Sequence, residues 1–274
     1  MPLVTLSDVL QPALKGGYAV AGLVCLGWED MCAYTGAAEA EGVPVILQAG
    51  PGCREHTALP VLAAMFRTLA ESAAVPVVAH LDHGYSLEEC QQAIDCGFTS
   101  VMFDGSRKPL QQNIDETATI AQLAHSAGVS CEGEIGFVGY AEGESSAGTD
   151  PAEAGRFAID TGVDAMAISV GNVHLQQSES KGLDIERIHA IEAVSQVPLV
   201  IHGGSGVPLV QRGELARTTN ICKYNVGTEL RMAFGSALRD AVASDGDRFD
   251  RNAILKDTIE PVTQAARNVL RSVR

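Results

Sequence analysis

Eight residues, Val77-Val78-Ala79-His80-Leu81-Asp82-His83-Gly84, run from an apolar stretch into an acid, two imidazoles and a glycine. Carboxyls and imidazoles are seldom fully buried without partners, so their packing at the end of a hydrophobic strand needs a reason. One reason is a hydrogen-bonded turn in which Asp82 caps a helix starting near Ser86. The other is proton-transfer or metal chemistry at the C-terminal end of a parallel strand, and this stretch alone does not decide between them. Two more histidines with the same setting do. His174 follows Gly171-Asn172-Val173, and His202 opens His202-Gly203-Gly204-Ser205-Gly206 after Leu199 to Ile201. Three neutral imidazoles with one open position are the coordination of a catalytic zinc. His80 lies two residues before Asp82 on the same strand face, placed either to orient a ligand or as a satisfied core histidine. His56, His125 and His189 read as structural or exposed.

The turns after the last two strands carry a different chemistry. Gly203-Gly204-Ser205 and Asn225-Val226-Gly227-Thr228 each lead into a helix. Free N–H groups at helix starts together with two hydroxyls make an anion site.

These groups converge only if a repeating scaffold brings strand ends together. Strands are expected at Tyr18 to Val24, Val43 to Leu47, Pro76 to Leu81, Ser100 to Phe103, Val129 to Gly133, Ala165 to Ser169, Pro198 to Ile201 and Ile221 to Asn225. Helices alternate with them, opening with Leu6 to Lys15 and closing with Thr228 to Ser244 and Asn252 to Val273. The strands are continuous apolar runs, as in a parallel sheet covered on both faces. Eight such units in 274 residues favour a closed (β/α)8 TIM barrel, whose chemistry sits at the strand C-termini. No composition break divides residues 1–274, which read as one barrel domain with a C-terminal helical extension. Glu134 to Gly148, the longest irregular piece, reads as a mobile loop.

Composition excludes several partners. The net charge of −15 argues against nucleic acid and anionic membranes, and confines any anion site to local backbone geometry. No apolar run is long enough for a membrane span, and the N-terminus has no basic region ahead of an apolar one. Seven scattered cysteines without a C-x-x-C pair read as reduced thiols of a cytoplasmic protein. Cys53, in the loop Gly50-Pro51-Gly52-Cys53, stands apart as a residue beside the site.

The segments Ala79 to Gly84, Ser100 to Ser106, Glu132 to Gly136, His202 to Gly206 and Lys223 to Leu230 together resemble the class II, zinc-dependent ketose-bisphosphate aldolases, with the tagatose- and fructose-bisphosphate enzymes nearest. The resemblance runs from about Leu6 to Asp250 and implies reversible retro-aldol cleavage of a ketose (bis)phosphate to dihydroxyacetone phosphate and an aldehyde. It makes His83, His174 and His202 the zinc ligands and Asp82 the acid that exchanges a proton with the aldehyde oxygen. It places Asp104 and Glu134 near the metal and Glu142 on a mobile loop as a second proton-transfer group. Gly203, Ser205, Asn225 and Thr228 hold dihydroxyacetone phosphate, and Arg248 takes the second phosphate, in some members across a subunit boundary. A monovalent cation beside the phosphate is a further expectation. No Schiff-base lysine is needed; Lys223, inside the last strand, is the lone lysine near a strand end. The helix at 228–244 and the tail helix suggest a homodimer or homotetramer.

Five positions depart from the family pattern. Val24-Cys25 stands for a Phe-Asn-like pair, Cys53 for a Ser or Thr, Tyr140 for a glycine and Leu175 for a glycine. All lie around the substrate. They leave open an unphosphorylated ketose or sugar acid, with dihydroxyacetone or hydroxypyruvate as nucleophile. A metal hydrolase on the same barrel lacks the His-x-His pair expected in strand 1, and a non-catalytic binding module would not need so many reactive groups.

Overall fold

The structure is a computed structural model describing residues 3–178, 182–244 and 246–274; Met1 and Pro2, on which the leader reading partly rests, lie outside them. The eight strands are β1 (Val20–Val24), β2 (Val45–Ala49), β3 (Val77–Gly84), β4 (Ser100–Phe103), β5 (Ser130–Ile135), β6 (Ala165–Ile168), β7 (Leu199–Ile201) and β8 (Ile221–Val226). They pair in parallel in chain order. The barrel closes where Val20 of β1 lies beside Lys223 of β8 and Gly22 beside Asn225. Almost every strand residue is buried, which explains the continuous apolar runs.

The floor of the barrel is shut by α1 (Leu6–Gly16). Thr5 and Asp8 form a reciprocal capping box at its start, and Leu6, Val9, Leu10 and Ala13 recur at helical spacing. That stripe packs on Val20, Ile46, Val78 and Val200 from the strand floors. Burying Leu6 and Leu10 contributes roughly 1.5–3 kcal/mol each. Sealing one end leaves the opposite mouth as the entrance.

The outer ring is α2 (Trp28–Glu41), α3 (Pro51–His56), α4 (Leu59–Ser72), α5 (Leu87–Cys96), α6 (Leu110–Ser126), α7 (Pro151–Thr161), α8 (Ile185–Glu192), α9 (Leu209–Thr218), α10 (Thr228–Ala243) and α11 (Arg251–Ser272). The last of these ties the C-terminus to α2: Glu41 accepts from Arg267 Nε at 2.6 Å and from Arg271 Nη2 at 2.7 Å.

Four elements differ from the sequence reading. The Gly-Pro-Gly stretch after β2 is no open loop, because Pro51 sits at the first position of α3, where a missing N–H costs nothing. β3 continues past Leu81 to Gly84, and β5 past Gly133 to Ile135. The 134–148 piece is tied down by the pairing of Phe137 with Ala147 and of Tyr140 with His174.

Candidate active site at the barrel mouth

β3 delivers two consecutive polar side chains to the mouth, which a regular strand cannot do because its side chains alternate. A bulge solves this. Leu81 pairs with Val101 and Gly84 with Phe103, so three steps of β3 run against two of β4. Within the bulge His83 has φ 54, a left-handed conformation that ordinary residues avoid. Arg54 of α3 holds it there, donating to the carbonyls of Ala49 and Asp82, each at 2.6 Å, and of His83 at 2.9 Å. Glu89 grips the same guanidinium at 2.6 Å and accepts from the Tyr85 amide at 2.8 Å.

Ligand nitrogens of His83, His174 and His202 lie within 4.8 Å of one another. Their protons can be assigned from their partners. His83 Nδ1 sits 2.9 Å from Asp104 Oδ2, and Asp104 also accepts from the Ser106 hydroxyl at 2.6 Å. Burial works against the Asp104 charge, but these contacts, led by His83, hold its carboxyl well below the usual range. Burial works against a charge on His83, but Asp82 and Asp104 push its imidazole up to about 9; Asp104 fixes the Nδ1 proton, and Nε2 offers its lone pair once a cation displaces the second proton. His202 Nε2 sits 3.0 Å from Glu132 Oε1, which leaves its Nδ1 free.

Glu132 belongs to a buried layer under the histidines. Lys223 Nζ lies 2.6 Å from Glu132 Oε2 and 3.3 Å from His80 Nε2, and His80 Nδ1 meets Ser100 Oγ at 2.8 Å. Burial opposes the Glu132 charge, yet Lys223 and the His202 hydrogen bond keep it ionised. Burial and the Lys223 charge push the His80 imidazole down to about 3, so it stays neutral. Lys223 is thus locked in an ion pair below the ligands, and His80 is a partner of this layer.

Two buried polar atoms at the histidine cluster have no hydrogen-bond partner among the described residues: His202 Nδ1 and Glu134 Oε2, 3.5 Å apart. A buried lone pair left bare is costly. Burial and the neighbouring Asp104 charge push the Glu134 carboxyl up to about 8. Bare donors and the surrounding carboxyls of Asp82, Asp104 and Glu134 fit a divalent cation. Three imidazoles form one possible ligand set, and His83, Asp104 and Glu134 form an overlapping one.

Asp82 is buried, and Asn225 Nδ2 donates to its Oδ1 at 3.2 Å. A Cβ on Gly50 would stand 3.3 Å from Oδ2, so the second oxygen faces the β2 side of the mouth. Burial raises this carboxyl, but the charges of His83, His202 and Lys223 outweigh it, so the net direction is down.

The two turns expected to hold an anion follow β7 and β8. Gly203 has φ 63, and a Cβ there would come within 2.2 Å of the Val173 carbonyl, so only glycine fits. Thr228 begins the 16-residue α10, and the Glu229 amide in its first turn donates to Ser205 Oγ at 3.3 Å. Ser205 is held from behind by buried Arg212, which donates to the carbonyls of Val207 at 3.0 Å and Ser205 at 3.3 Å. Gly203, Ser205, Asn225, Gly227, Thr228 and Cys53 line one cavity of about 270 Å³ together with Asp82, His83 and His174. Gly204 and Val226 do not line it. They pack against each other beneath, a Cβ on Gly204 lying 3.2 Å from Val226 Cγ2.

Two expected residues lie elsewhere. Glu142 lines a separate outer groove with Arg107 and Gln177, because the loop turns inward at Tyr140. The Ala141 amide donates to the His174 carbonyl at 3.0 Å, and the Tyr140 ring stacks on His174 with centroids 5.1 Å apart. Arg248 sits between α10 and α11, 2.5 Å from Asp257 Oδ2, and is absent from this chain's own cavity. Leu175, at the rim, has φ 58, the backbone that the glycine expected there would adopt freely. The sequence reading missed Arg54, the orienting role of Glu132, and Arg231, a cavity residue. Of these only Arg231 had a signal, its spacing of three from Thr228, which places both on one face of α10.

The profile of the family described as fructose-bisphosphate aldolase class-II matches residues 4–274. The chain belongs to the class II fructose-bisphosphate aldolase family. Its chemistry is that of an aldolase, a carbon–carbon lyase acting on sugar phosphates. This aldolase is 37% identical over 262 residues to a fructose-bisphosphate aldolase of Geobacillus stearothermophilus, covering 93% of this chain and 91% of that one. It is 36% identical over 277 residues to a 6-phospho-5-dehydro-2-deoxy-D-gluconate aldolase of Bacillus velezensis, covering 99% and 95%. Among solved structures, the YdjI aldolase of Escherichia coli K12 superposes with a TM-score of 0.86 at 28% identity, covering 99% of this aldolase and 97% of that chain. No described helix of the aldolase is long and apolar enough to cross a membrane.

Proposed function

We propose that the aldolase cleaves a ketose phosphate reversibly to dihydroxyacetone phosphate and an aldehyde, using a zinc ion held by His83, His174 and His202. The observation that carries this reading is one cavity lined by His83, His174, Asp82 and the two anion turns, with buried His202 within ligand distance of both histidines. Zinc suits three neutral imidazoles with an open position. When bound, the ion supplies Lewis-acid stabilisation of the charge left on the ketose oxygens as the carbon–carbon bond breaks. Asp104 and Glu132 fix which nitrogen of His83 and His202 is free, as hydrogen-bonded partners of metal ligands do.

The chain's own residues do the rest. Gly203, Ser205, Asn225 and Thr228 hold the phosphate, so the ketone carbon lies under the histidines. Asp82 Oδ2 takes the proton of the hydroxyl that becomes the aldehyde and returns it in the condensation direction. Asn225 fixes the other carboxyl oxygen and so aims Oδ2. Tyr140, stacked on His174 at the rim, shields the site from water. A role for Glu142 in proton transfer requires the 139–146 loop to turn over. Exposed Met232, Val242 and Phe249 on and just after α10 support a homodimer or homotetramer through that helix.

A second reading keeps the same bond cleavage but gives the aldehyde half a carboxylate. It is favoured by the similarity to the 6-phospho-5-dehydro-2-deoxy-D-gluconate aldolase, nearly equal to that for the fructose-bisphosphate enzyme.

A screen of retro-aldol cleavage over ketose phosphates, phosphorylated keto acids and their unphosphorylated analogues, with Zn²⁺ present, tests both. Dihydroxyacetone phosphate release that stops with a chelator and returns with Zn²⁺ is expected. Full activity of rigorously metal-stripped protein would sink the metal assignment.

A further inference from the structure

The catalytic cavity and the outer groove beside it have two lining residues in common among those described, Tyr140 and Leu175. The cavity holds about 270 Å³ and the groove about 1040 Å³. Small-molecule sites commonly run from roughly 300 to 1,000 Å³, so the cavity is small for one and the groove ample. Both residues stand where the family pattern has glycine. Two side chains thus divide a space that glycines would leave continuous.

Leu175 is held in this place against its own preference. Its backbone has φ 58, which a leucine adopts only with strain. It gains little burial in return, since it is 49% exposed. Strain kept without a packing gain points to function. Tyr140 is fixed from two sides: its amide donates to the Glu144 carbonyl at 3.0 Å, and its ring stacks on His174 with centroids 5.1 Å apart. The segments that carry the two residues are tied as well. The Ala141 amide donates to the His174 carbonyl at 3.0 Å, and the His174 amide to the Gly139 carbonyl at 2.8 Å.

Their place in the mouth says which part of a substrate they meet. A substrate anchored at the turns after β7 and β8 and reaching Asp82 on β3 spans the mouth and has two flanks. One flank is Gly50 to Cys53 at the start of α3. The other is Tyr140 and Leu175, from the segments after β5 and β6, with the groove behind them. The groove is polar, lined by Arg107, Gln176 and Ser178 among others, and suits the hydroxyls of a longer sugar chain.

We propose that Tyr140 and Leu175 are specificity-determining residues of the aldolase: they wall the catalytic cavity off from the groove and hold the aldehyde half of the substrate to a short carbon chain. This rests on the proposed reading, in which the other half is dihydroxyacetone phosphate held at the two turns. The selection is steric, because a long chain collides with the two side chains and a short one does not reach them.

The test is the condensation of dihydroxyacetone phosphate with the three-carbon aldehydes D-glyceraldehyde 3-phosphate and 3-oxopropanoate and with five-carbon D-ribose 5-phosphate. The quantity read is the ratio of kcat/KM for D-ribose 5-phosphate to that for the faster three-carbon aldehyde, with Zn²⁺ throughout. Wild type should give a low ratio, and Tyr140→Ala/Leu175→Gly should raise it about ten- to hundred-fold. Tyr140→Phe, which keeps the ring, should keep the low ratio. Leu175→Gly alone should melt no lower than wild type, because it sheds the left-handed strain. Wild type that takes D-ribose 5-phosphate as readily as the three-carbon aldehydes overturns the proposal, and so does an unchanged ratio in the double variant. A ratio raised as far by Tyr140→Phe also overturns it, by assigning the selection to the hydroxyl. A large fall in Tm for Leu175→Gly would show that the leucine is kept for packing and overturn its share in the wall. Wild-type exchange of the dihydroxyacetone phosphate C3 proton in D2O is followed alongside. Exchange with an unchanged ratio overturns the wall alone, whereas no exchange and no condensation overturns the parent reading and this proposal with it.

Discussion

Arg54 Nη2 donates to the carbonyl oxygen of His83 at 2.9 Å, at the one residue of β3 that adopts a left-handed backbone. The same guanidinium closes on the carbonyls of Ala49 and Asp82. A helix absent from the sequence reading thus holds the bulge that presents both the acid and a metal ligand. Backbone strain of this size, of order 1–3 kcal/mol, persists only where the surroundings over-determine it.

Arg54→Met removes all those donors at once and takes from Glu89 its guanidinium partner. Urea unfolding should show a loss of about 2–4 kcal/mol. Zinc affinity should fall at the same time, because His83 relaxes toward ordinary strand backbone. Arg54→Lys restores the charge but not the fork, and should land between. Zinc titration of Arg54→Met at wild-type affinity would show that the bulge holds itself.

The barrel was legible because its strands are buried on both faces and so advertise themselves as unbroken apolar runs. His83, His174 and His202 were legible because imidazoles at the ends of such runs have few other uses. Arg54 was not, since its partners are backbone carbonyls, which no side-chain pattern encodes. α3 was hidden by a Gly-Pro-Gly sequence that reads equally as a turn and as a helix start. The resemblance carried residue types onto Glu142 and Arg248 but could not carry loop conformation. The pairing of Tyr140 with His174 turns Glu142 outward, and the Asp257 ion pair holds Arg248 away.

Glu132 sits between His202 and Lys223 and has two separable jobs. Glu132→Gln loses the fixed acceptor for His202 Nε2, which should weaken zinc binding about 10–100-fold. It also leaves the Lys223 ammonium buried without a counter-charge, at a cost of about 3–5 kcal/mol. The double variant Glu132→Gln/Lys223→Met removes the stranded charge. It should recover much of the stability and none of the zinc affinity. Recovery of both together would mean that Glu132 matters to the metal only through folding.

Gly203 and Gly42 share nearly one backbone conformation, φ 63 and φ 64, yet differ in what surrounds them. A Cβ on Gly42 meets nothing within 4 Å, whereas one on Gly203 would come 2.2 Å from the Val173 carbonyl. Gly42→Ala should cost only the left-handed strain, about 1–2 kcal/mol, with kinetics unaltered. Gly203→Ala must also push apart the anion turn and the segment leading to His174. It should raise KM for dihydroxyacetone phosphate in the condensation direction more than it lowers stability. Equal thermal shifts and equal KM values for the two variants would remove the argument that Gly203 is required by close approach.

Glu41 ties α2 to α11 by accepting from Arg271 and Arg267, and these hydrogen bonds hold its carboxyl at about 2, below the ordinary glutamate value of 4.5. The folded value lies below the unfolded one. The pair therefore stabilises the fold fully above pH of about 4.5, and this contribution is lost as pH falls toward 2. Glu41→Gln should accordingly be less stable than wild type at neutral pH, and the gap should close on acidification through that window. High salt should narrow the gap at neutral pH, because these side chains are reached by solvent. Parallel urea titrations of the two proteins at pH values spanning about 3 to 7 check it. A gap that stays constant across that range would show that the ion pairs do not tie the two helices and that Glu41 acts through packing alone.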